Sequence, residues 1–117
     1  MSETNPGRRR VPRVVASGTA VLVGRKRRTA SLLDLSTRGC LVRSEQLLAT
    51  GQIVDIALQL EGRPFKAKVR VAEVAVDGVA ASRYLAGLEF LNVEPEDERR
   101  LEQYVQAVRR RKSGPRA

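Results

Sequence analysis

The sequence predicts a mainly β protein, a six-stranded antiparallel β-barrel followed by a C-terminal α-helix. Between residues 14 and 91, short runs of alternating apolar and polar side chains are separated by turn residues, as in antiparallel strands. Six such runs in a chain of 117 residues favour a barrel, which leaves no free strand edges, over an open sheet. From Pro95 the apolar period lengthens to that of a helix. The length suits one compact domain.

The first three strands are predicted at residues 15–23, 29–35 and 40–43. The first two form a hairpin around residues 24–28, a run of one glycine and four cations that must be exposed because of its charge. The third strand is short.

The next two strands show the clearest alternation. One face of the fourth strand carries Val54, Ile56, Leu58 and Leu60, and one face of the fifth carries Phe65, Ala67, Val69 and Val71. The Glu61–Gly62 pair between them is typical of a tight hairpin turn, so these strands are expected to be neighbours. The sixth strand is predicted at residues 84–91.

The predicted helix is amphipathic. Its apolar positions follow helical spacing and are Leu101, Tyr104, Val105 and Val108. Acidic residues crowd its N-terminal end and three arginines lie at its C-terminal end, which suits the helix dipole at both ends. Because its apolar stripe is narrow, we expect the helix to cap one end of the barrel.

The predicted domain spans residues 14–111, between a flexible basic arm at 1–13 and a disordered tail at 112–117.

Composition excludes several functions. The formal charge of +9 favours anionic partners such as nucleotides, nucleic acids, acidic lipids or acidic proteins. Cys40 is the only cysteine and there is no histidine, so a disulfide, a zinc site and a histidine-dependent catalytic group are not expected. No apolar run approaches the roughly 20 residues that span a bilayer. We expect a cytoplasmic protein with no membrane span, no metal and no enzyme activity.

Two short motifs carry the chemistry. Arg9 and Arg13 lie four residues apart, and each guanidinium can pair with phosphates or with planar acceptor edges. Asp34, Ser36 and Gly39 place a carboxylate, a hydroxyl and a residue without a side chain in one turn. Taken alone, the arginines also fit a solvated basic tail, and the second motif also fits ordinary turn chemistry.

Taken together, these motifs resemble the PilZ domain, the bacterial receptor module for cyclic di-GMP. The resemblance also includes residues 87–90 and the helix start at 95–97, and it extends over about residues 8–108. It implies a six-stranded barrel of the split-barrel type with a C-terminal helix, in agreement with the periodicity.

The resemblance also implies roles for single residues. Arg9 and Arg13 would hold guanine bases and bridging phosphates, and Asp34 would accept hydrogen bonds from N1 and N2 of guanine. Ser36 would complete the polar ring around the ligand, and Gly39 would let the ligand approach the backbone. The arm would become ordered on binding. Arg8 resembles the variant associated with a stacked pair of ligands, although it also fits a solvated charge.

The predicted function is a receptor that binds cyclic di-GMP, needs no cofactor and signals to a protein partner in motility, polysaccharide-export or transcription machinery. One alternative is a basic β-barrel that binds nucleic acid, although only 3% of the residues are aromatic and stacking platforms are therefore scarce. The other alternative is a PilZ-like adaptor that no longer binds nucleotide.

Overall fold

The computed structural model describes residues 11–78 and 83–112, which form seven strands and one helix. The strands are β1 (Arg13–Val15), β2 (Thr19–Val23), β3 (Arg27–Ser36), β4 (Gly39–Ser44), β5 (Ile53–Leu60), β6 (Arg63–Val76) and β7 (Tyr84–Asn92), and the helix is α1 (Pro95–Lys112). Arg8 and Arg9 of the predicted arm, and residues 113–117 of the predicted tail, lie outside the described residues.

Six strands close into an antiparallel barrel, as the sequence predicts. The order around the barrel is β3, β2, β5, β6, β7 and β4, and the pairing of β3 with β4 closes the ring. The remaining strand, β1, is additional to these six and pairs only with the C-terminal half of β3. The predicted hairpin turn between β5 and β6 is confirmed, since Glu61 and Gly62 both have positive φ angles, 52° and 80°.

The predicted single strand at 15–23 is wrong, because the structure divides it into β1 and β2. Gly18, with a φ angle of 109°, lies in the interruption. Both strands nevertheless follow the same edge of β3. The N–H of Ala16 donates to the carbonyl of Leu33 at 2.9 Å, and the N–H of Leu32 donates to the carbonyl of Gly18 at 2.9 Å. The chain therefore remains alongside β3 on both sides of the interruption.

The interior of the barrel holds the side chains that alternation assigns to it. All four predicted inward positions of β5 are buried. Phe65 on β6 is fully buried, and its ring meets that of Phe90 on β7 edge to face with centroids 5.5 Å apart. Charged residues alternate with the buried ones on the outside of β6.

Helix α1 packs on the barrel through Leu101 and Val105, both buried, and contacts β1, β3 and β5. The guanidinium of Arg100 donates to the carbonyls of Pro64 at 2.8 Å and Arg63 at 3.3 Å, which fixes the helix beside the β5–β6 turn. The helix ends at Lys112, one residue beyond the predicted boundary. In the part of the chain that the structure describes, no helix is long and apolar enough to cross a membrane.

Candidate ligand-binding site

A bulge in β3 decides where Asp34 points. Against β4, Leu32 pairs with Val42 and Asp34 pairs with Leu41, so that Leu33 is an extra residue in the ladder. Successive side chains of a strand point to opposite faces, so one extra residue exchanges the inward and outward positions in the part of β3 that follows it. Leu32 and Leu35 are buried, and Asp34 lies on the outer face instead of in the core.

Strand β1 brings Arg13 to the same face. The register pairs Arg13 with Ser36 and Val15 with Asp34, while Val14 turns inward and is buried. Arg13 and Asp34 are therefore diagonal neighbours across the two strands. Arg13 Nη1 lies 3.7 Å from Asp34 Oδ1, and the two side chains are 52% and 23% exposed. The sequence places Arg13 in the arm, whereas the structure places it in this strand, with an acidic neighbour.

The carboxylate of Asp34 has an unused acceptor. Its Oδ1 is buried and accepts no hydrogen bond from any described residue, because the contact with Arg13 exceeds hydrogen-bonding distance. A buried acceptor without a donor carries a desolvation cost that a ligand donor can relieve. This atom, beside an exposed guanidinium, makes the site suited to a ligand that offers both hydrogen-bond donors and negative charge.

Cys40 lies under this site and is chemically quiet. It is fully buried, and burial raises the pKa of its thiol from 9.0 to about 12. The negative charge of Asp34 contributes to this rise as a smaller cause, and the positive charge of Arg13 opposes it. A thiol with such a high pKa is not a nucleophile at neutral pH. In the structure, Cys40 therefore behaves as a small buried apolar side chain.

Ser36 is occupied in building the turn between β3 and β4. Its hydroxyl accepts hydrogen bonds from the N–H groups of Arg38 at 3.0 Å and Gly39 at 3.2 Å, and it donates to the carbonyl of Gly39 at 3.3 Å. These bonds use its one donor and both acceptor positions. A direct bond to a ligand, as the resemblance implies, would have to replace one of them.

Gly39 is required by the close approach of β7. A Cβ atom at this position would lie 2.0 Å from the carbonyl oxygen of Leu88 and 3.2 Å from the Cα atom of Glu89. Both atoms belong to the backbone, which cannot rotate away as a side chain can. The glycine thus permits the pairing of β4 with β7. The motif alone suggests two other reasons for a glycine here, the conformational freedom of a turn residue and access of a ligand to the backbone.

The turn also displays Arg38, a cation outside the set of residues that the motifs predict. Arg38 is exposed, and its peptide groups are held on both sides. Its N–H donates to Ser36 Oγ, and its carbonyl accepts from the N–H of Phe90 at 2.8 Å. Its position inside the motif from Asp34 to Gly39 is the signal that could have identified it.

The predicted residues thus divide into three groups. The structure brings Arg13 and Asp34 together on the outer face, and it places Ser36 and Gly39 in the turn that supports them. Arg8 and Arg9 belong to the part that the structure does not describe. Within residues 11–78 and 83–112 there is no group of three or more side chains that could hold a metal ion.

A small closed barrel with an acidic residue and an arginine facing each other beside a glycine-containing turn places this chain among the small β-barrel modules. Comparison with known families identifies the class: the PilZ domain family matches residues 7–107, nearly the whole sequence. The chain belongs to the PilZ domain family. The resemblance that the motifs suggest is therefore confirmed. A search of curated proteins gives no match to the sequence.

Solved structures support the fold. The inhibitor of motility MotI/DgrA of Bacillus subtilis superposes with a TM-score of 0.79 at 15% identity, over 91% of this chain and 53% of that protein. The PilZ domain of YcgR from Escherichia coli, solved with c-di-GMP, gives a TM-score of 0.72 at 21% identity, over 90% of this chain and 94% of that domain.

A third neighbour, MrkH of K. pneumonia in complex with c-di-GMP, gives a TM-score of 0.73 at 17% identity, over 89% of this chain and 55% of that protein. The chain spans about half the length of MotI and of MrkH, whereas it spans nearly all of the YcgR domain. At these identities the likeness establishes the fold.

Proposed function

We propose that this chain is a receptor for cyclic di-GMP that acts by binding and not by catalysis. The observation that carries the proposal is the buried Oδ1 of Asp34, which has no described hydrogen-bond donor and lies 3.7 Å from the guanidinium of Arg13. The two similar structures solved with c-di-GMP, those of YcgR and MrkH, supply the ligand to test.

Guanine matches this pair of side chains. Its N1–H and N2–H groups are adjacent donors, and a carboxylate can accept from both, whereas adenine presents a different pattern on that edge. The O6 and N7 atoms of guanine, and the phosphate oxygens, are acceptors for a guanidinium fork. Asp34 would therefore select the base, and Arg13 would hold the base or a phosphate.

Arg9 completes the arginine pair in this proposal. It would grip the ligand from the other side together with Arg13, and Arg8 would favour a stacked pair of ligands over a single one. The arm that carries these residues would become ordered on binding, and the cost of ordering would be offset by the new charge-assisted bonds.

The proposed output is contact with a protein partner in the cytoplasm. An ordered arm beside the β1–β3 face changes the surface that a partner meets, which is a sufficient signal without any chemical reaction. MotI is described as an inhibitor of motility and MrkH as a transcription regulatory factor. Motility and transcription machinery are therefore the first partners to test, followed by polysaccharide export.

Titration calorimetry of the full chain with cyclic di-GMP, GTP and cyclic di-AMP tests the proposal. We expect selective binding of cyclic di-GMP that weakens roughly tenfold to a hundredfold in Arg13→Ala and in Asp34→Ala, because each change removes a charge-assisted bond. Arg27→Ala and Asp55→Ala are matched controls, since both side chains are exposed and remote from the site, and binding should be unchanged.

Two other outcomes would replace the proposal. Binding of a random DNA duplex with a steep salt dependence, without heat from cyclic di-GMP, would indicate the nucleic-acid-binding barrel. Binding of neither ligand would indicate an adaptor that has kept the PilZ fold without its nucleotide.

A further inference from the structure

The end of the barrel opposite the candidate site carries a second surface. We call residues 24–28 the basic tip; they form the turn between β2 and β3 and the first two residues of β3. On this strand the nearest members of the two regions, Arg28 and Asp34, are six residues apart, which is roughly 20 Å at about 3.3 Å per residue. The basic tip therefore cannot share a small ligand with Arg13 and Asp34.

The cations of the basic tip have no ion-pair partner in the part of the chain that the structure describes. Arg25, Lys26 and Arg27 are exposed and form no ion pair with any described carboxylate. Elsewhere in the described part of the chain, ion pairs occupy Arg13, Arg43, Lys68, Arg70 and Arg100, whereas at the tip three consecutive cations have none. Three adjacent cations without counter-charges repel one another, so an anionic partner at this position would relieve an existing cost.

Exposed apolar side chains flank these cations. Of the six large apolar residues that are exposed in the described part of the chain, three belong to this end: Val23, 39% exposed, Leu47, 62% exposed, and Ile53, 54% exposed. We call these three the apolar flank. Val23 pairs with Asp55 across β2 and β5, so Ile53 is the diagonal neighbour of Val23 on the outer face. Arg28 Nη1 donates to the carbonyl of Leu47 at 3.2 Å.

The tip is seated close to the barrel rather than free of it. A Cβ atom at Gly24 would lie 3.0 Å from Val54 Cγ1, which shows how closely the turn approaches β5. An open depression of about 150 Å³ lies between the tip and the loop that connects β4 to β5. Its floor is apolar, with Leu22, Leu48 and Val54, and its rim includes Arg25, Lys26 and Arg28.

From these observations we propose that the basic tip and the apolar flank form a docking surface for an anionic lipid bilayer. Cations near such a surface are attracted by its negative potential, and aliphatic side chains beside them gain by entering the headgroup boundary. A nucleic acid duplex matches only the cations, because it offers no apolar region for three aliphatic residues, and the tip has no aromatic ring on which bases could stack.

The arrangement has a consequence for the proposed receptor. The basic tip occupies one end of β3 and the candidate site occupies the other. A molecule docked through the tip would keep Arg13 and Asp34 directed away from the bilayer and open to a ligand and a partner. The docking itself does not depend on cyclic di-GMP, so the two proposals can fail separately.

Vesicle co-sedimentation of the full chain, without nucleotide, tests the surface. We expect binding to vesicles that contain phosphatidylglycerol and none to vesicles of phosphatidylcholine alone. The triple variant Arg25→Gln, Lys26→Gln and Arg27→Gln should bind about 100-fold more weakly, from roughly fivefold for each lost cation. The variant Leu47→Ser with Ile53→Ser should bind about tenfold more weakly, and this loss should persist at high salt because it reflects apolar burial.

A second triple variant separates this surface from the overall charge. Lys66→Gln, Arg110→Gln and Arg111→Gln remove the same number of exposed cations elsewhere, and should leave binding within a few-fold of the unchanged protein. Equal losses in both triple variants would overturn the proposal, because the whole-molecule charge would then explain binding. No binding to phosphatidylglycerol vesicles would overturn it too. So would a DNA duplex or a glutamate-rich peptide that binds the tip while the vesicles do not.

Discussion

Replacing Gly39 with alanine tests whether this glycine serves the barrel or the ligand. The new methyl group would lie 2.0 Å from the Leu88 carbonyl oxygen, well inside any contact that real Cβ atoms make, so β4 and β7 would have to separate locally. Forced overpacking of this kind costs about 1–3 kcal/mol. For a domain of this size, 2 kcal/mol lowers the melting temperature by roughly 10 °C.

The measurement is thermal and urea-induced unfolding of the protein without nucleotide. Gly78→Ala is the matched control, because a Cβ atom there meets nothing within 4 Å and its φ angle is not in the left-handed region. That variant should keep its stability to within about 1 kcal/mol. If Gly39→Ala is as stable as the unchanged protein and loses only cyclic di-GMP binding, the close approach of β4 to β7 is not the reason for this glycine.

Three further predictions concern the same region. Ser36→Ala should lower the free energy of unfolding by about 1–3 kcal/mol, because the N–H groups of Arg38 and Gly39 lose their acceptor, and urea unfolding that shows no change would contradict this role. Cys40 should make stability fall as pH rises between about 9 and 12, since its thiol ionises in the unfolded chain first and the folded pKa is raised to about 12. Below pH 9 its contribution is fully present. Alkylation of Cys40 by iodoacetamide at pH 8 should require unfolding, and rapid alkylation of the folded protein would be evidence against burial of the thiol.

The parts of the fold that the sequence predicts are those governed by local pattern. The β5–β6 hairpin was predictable because four inward positions alternate without a break and Glu61–Gly62 suits a turn with positive φ angles. Helix α1 was predictable from its apolar spacing and its charged ends. The division of residues 15–23 was not predicted, because strand propensity continues on both sides of the interruption, and the break depends on how β1 and β2 meet β3.

The candidate site shows the same division. The motifs identify Arg13 and Asp34, but the side of β3 on which Asp34 lies depends on the bulge at Leu33, which forms only against β4. The motif includes Gly39 but does not show why a glycine is needed there. The reason is the carbonyl oxygen of Leu88 on β7, nearly fifty residues later in the chain, which leaves no room for a Cβ atom. Such contacts are set by closure of the barrel and leave no mark in the local sequence.

By itself, the amino-acid sequence determined the class of fold, the membership of the PilZ domain family and the residues to examine, because periodicity and motif spacing are properties of the chain. Three-dimensional structure was needed to show that Arg13 faces Asp34 and that one oxygen of Asp34 has no donor among the described residues. It was also needed to show that exposed aliphatic residues lie at the far end of the barrel beside cations with no described ion-pair partner. The physical reason is that pairing register, burial and charge neighbours arise between strands distant in sequence, once the barrel has closed.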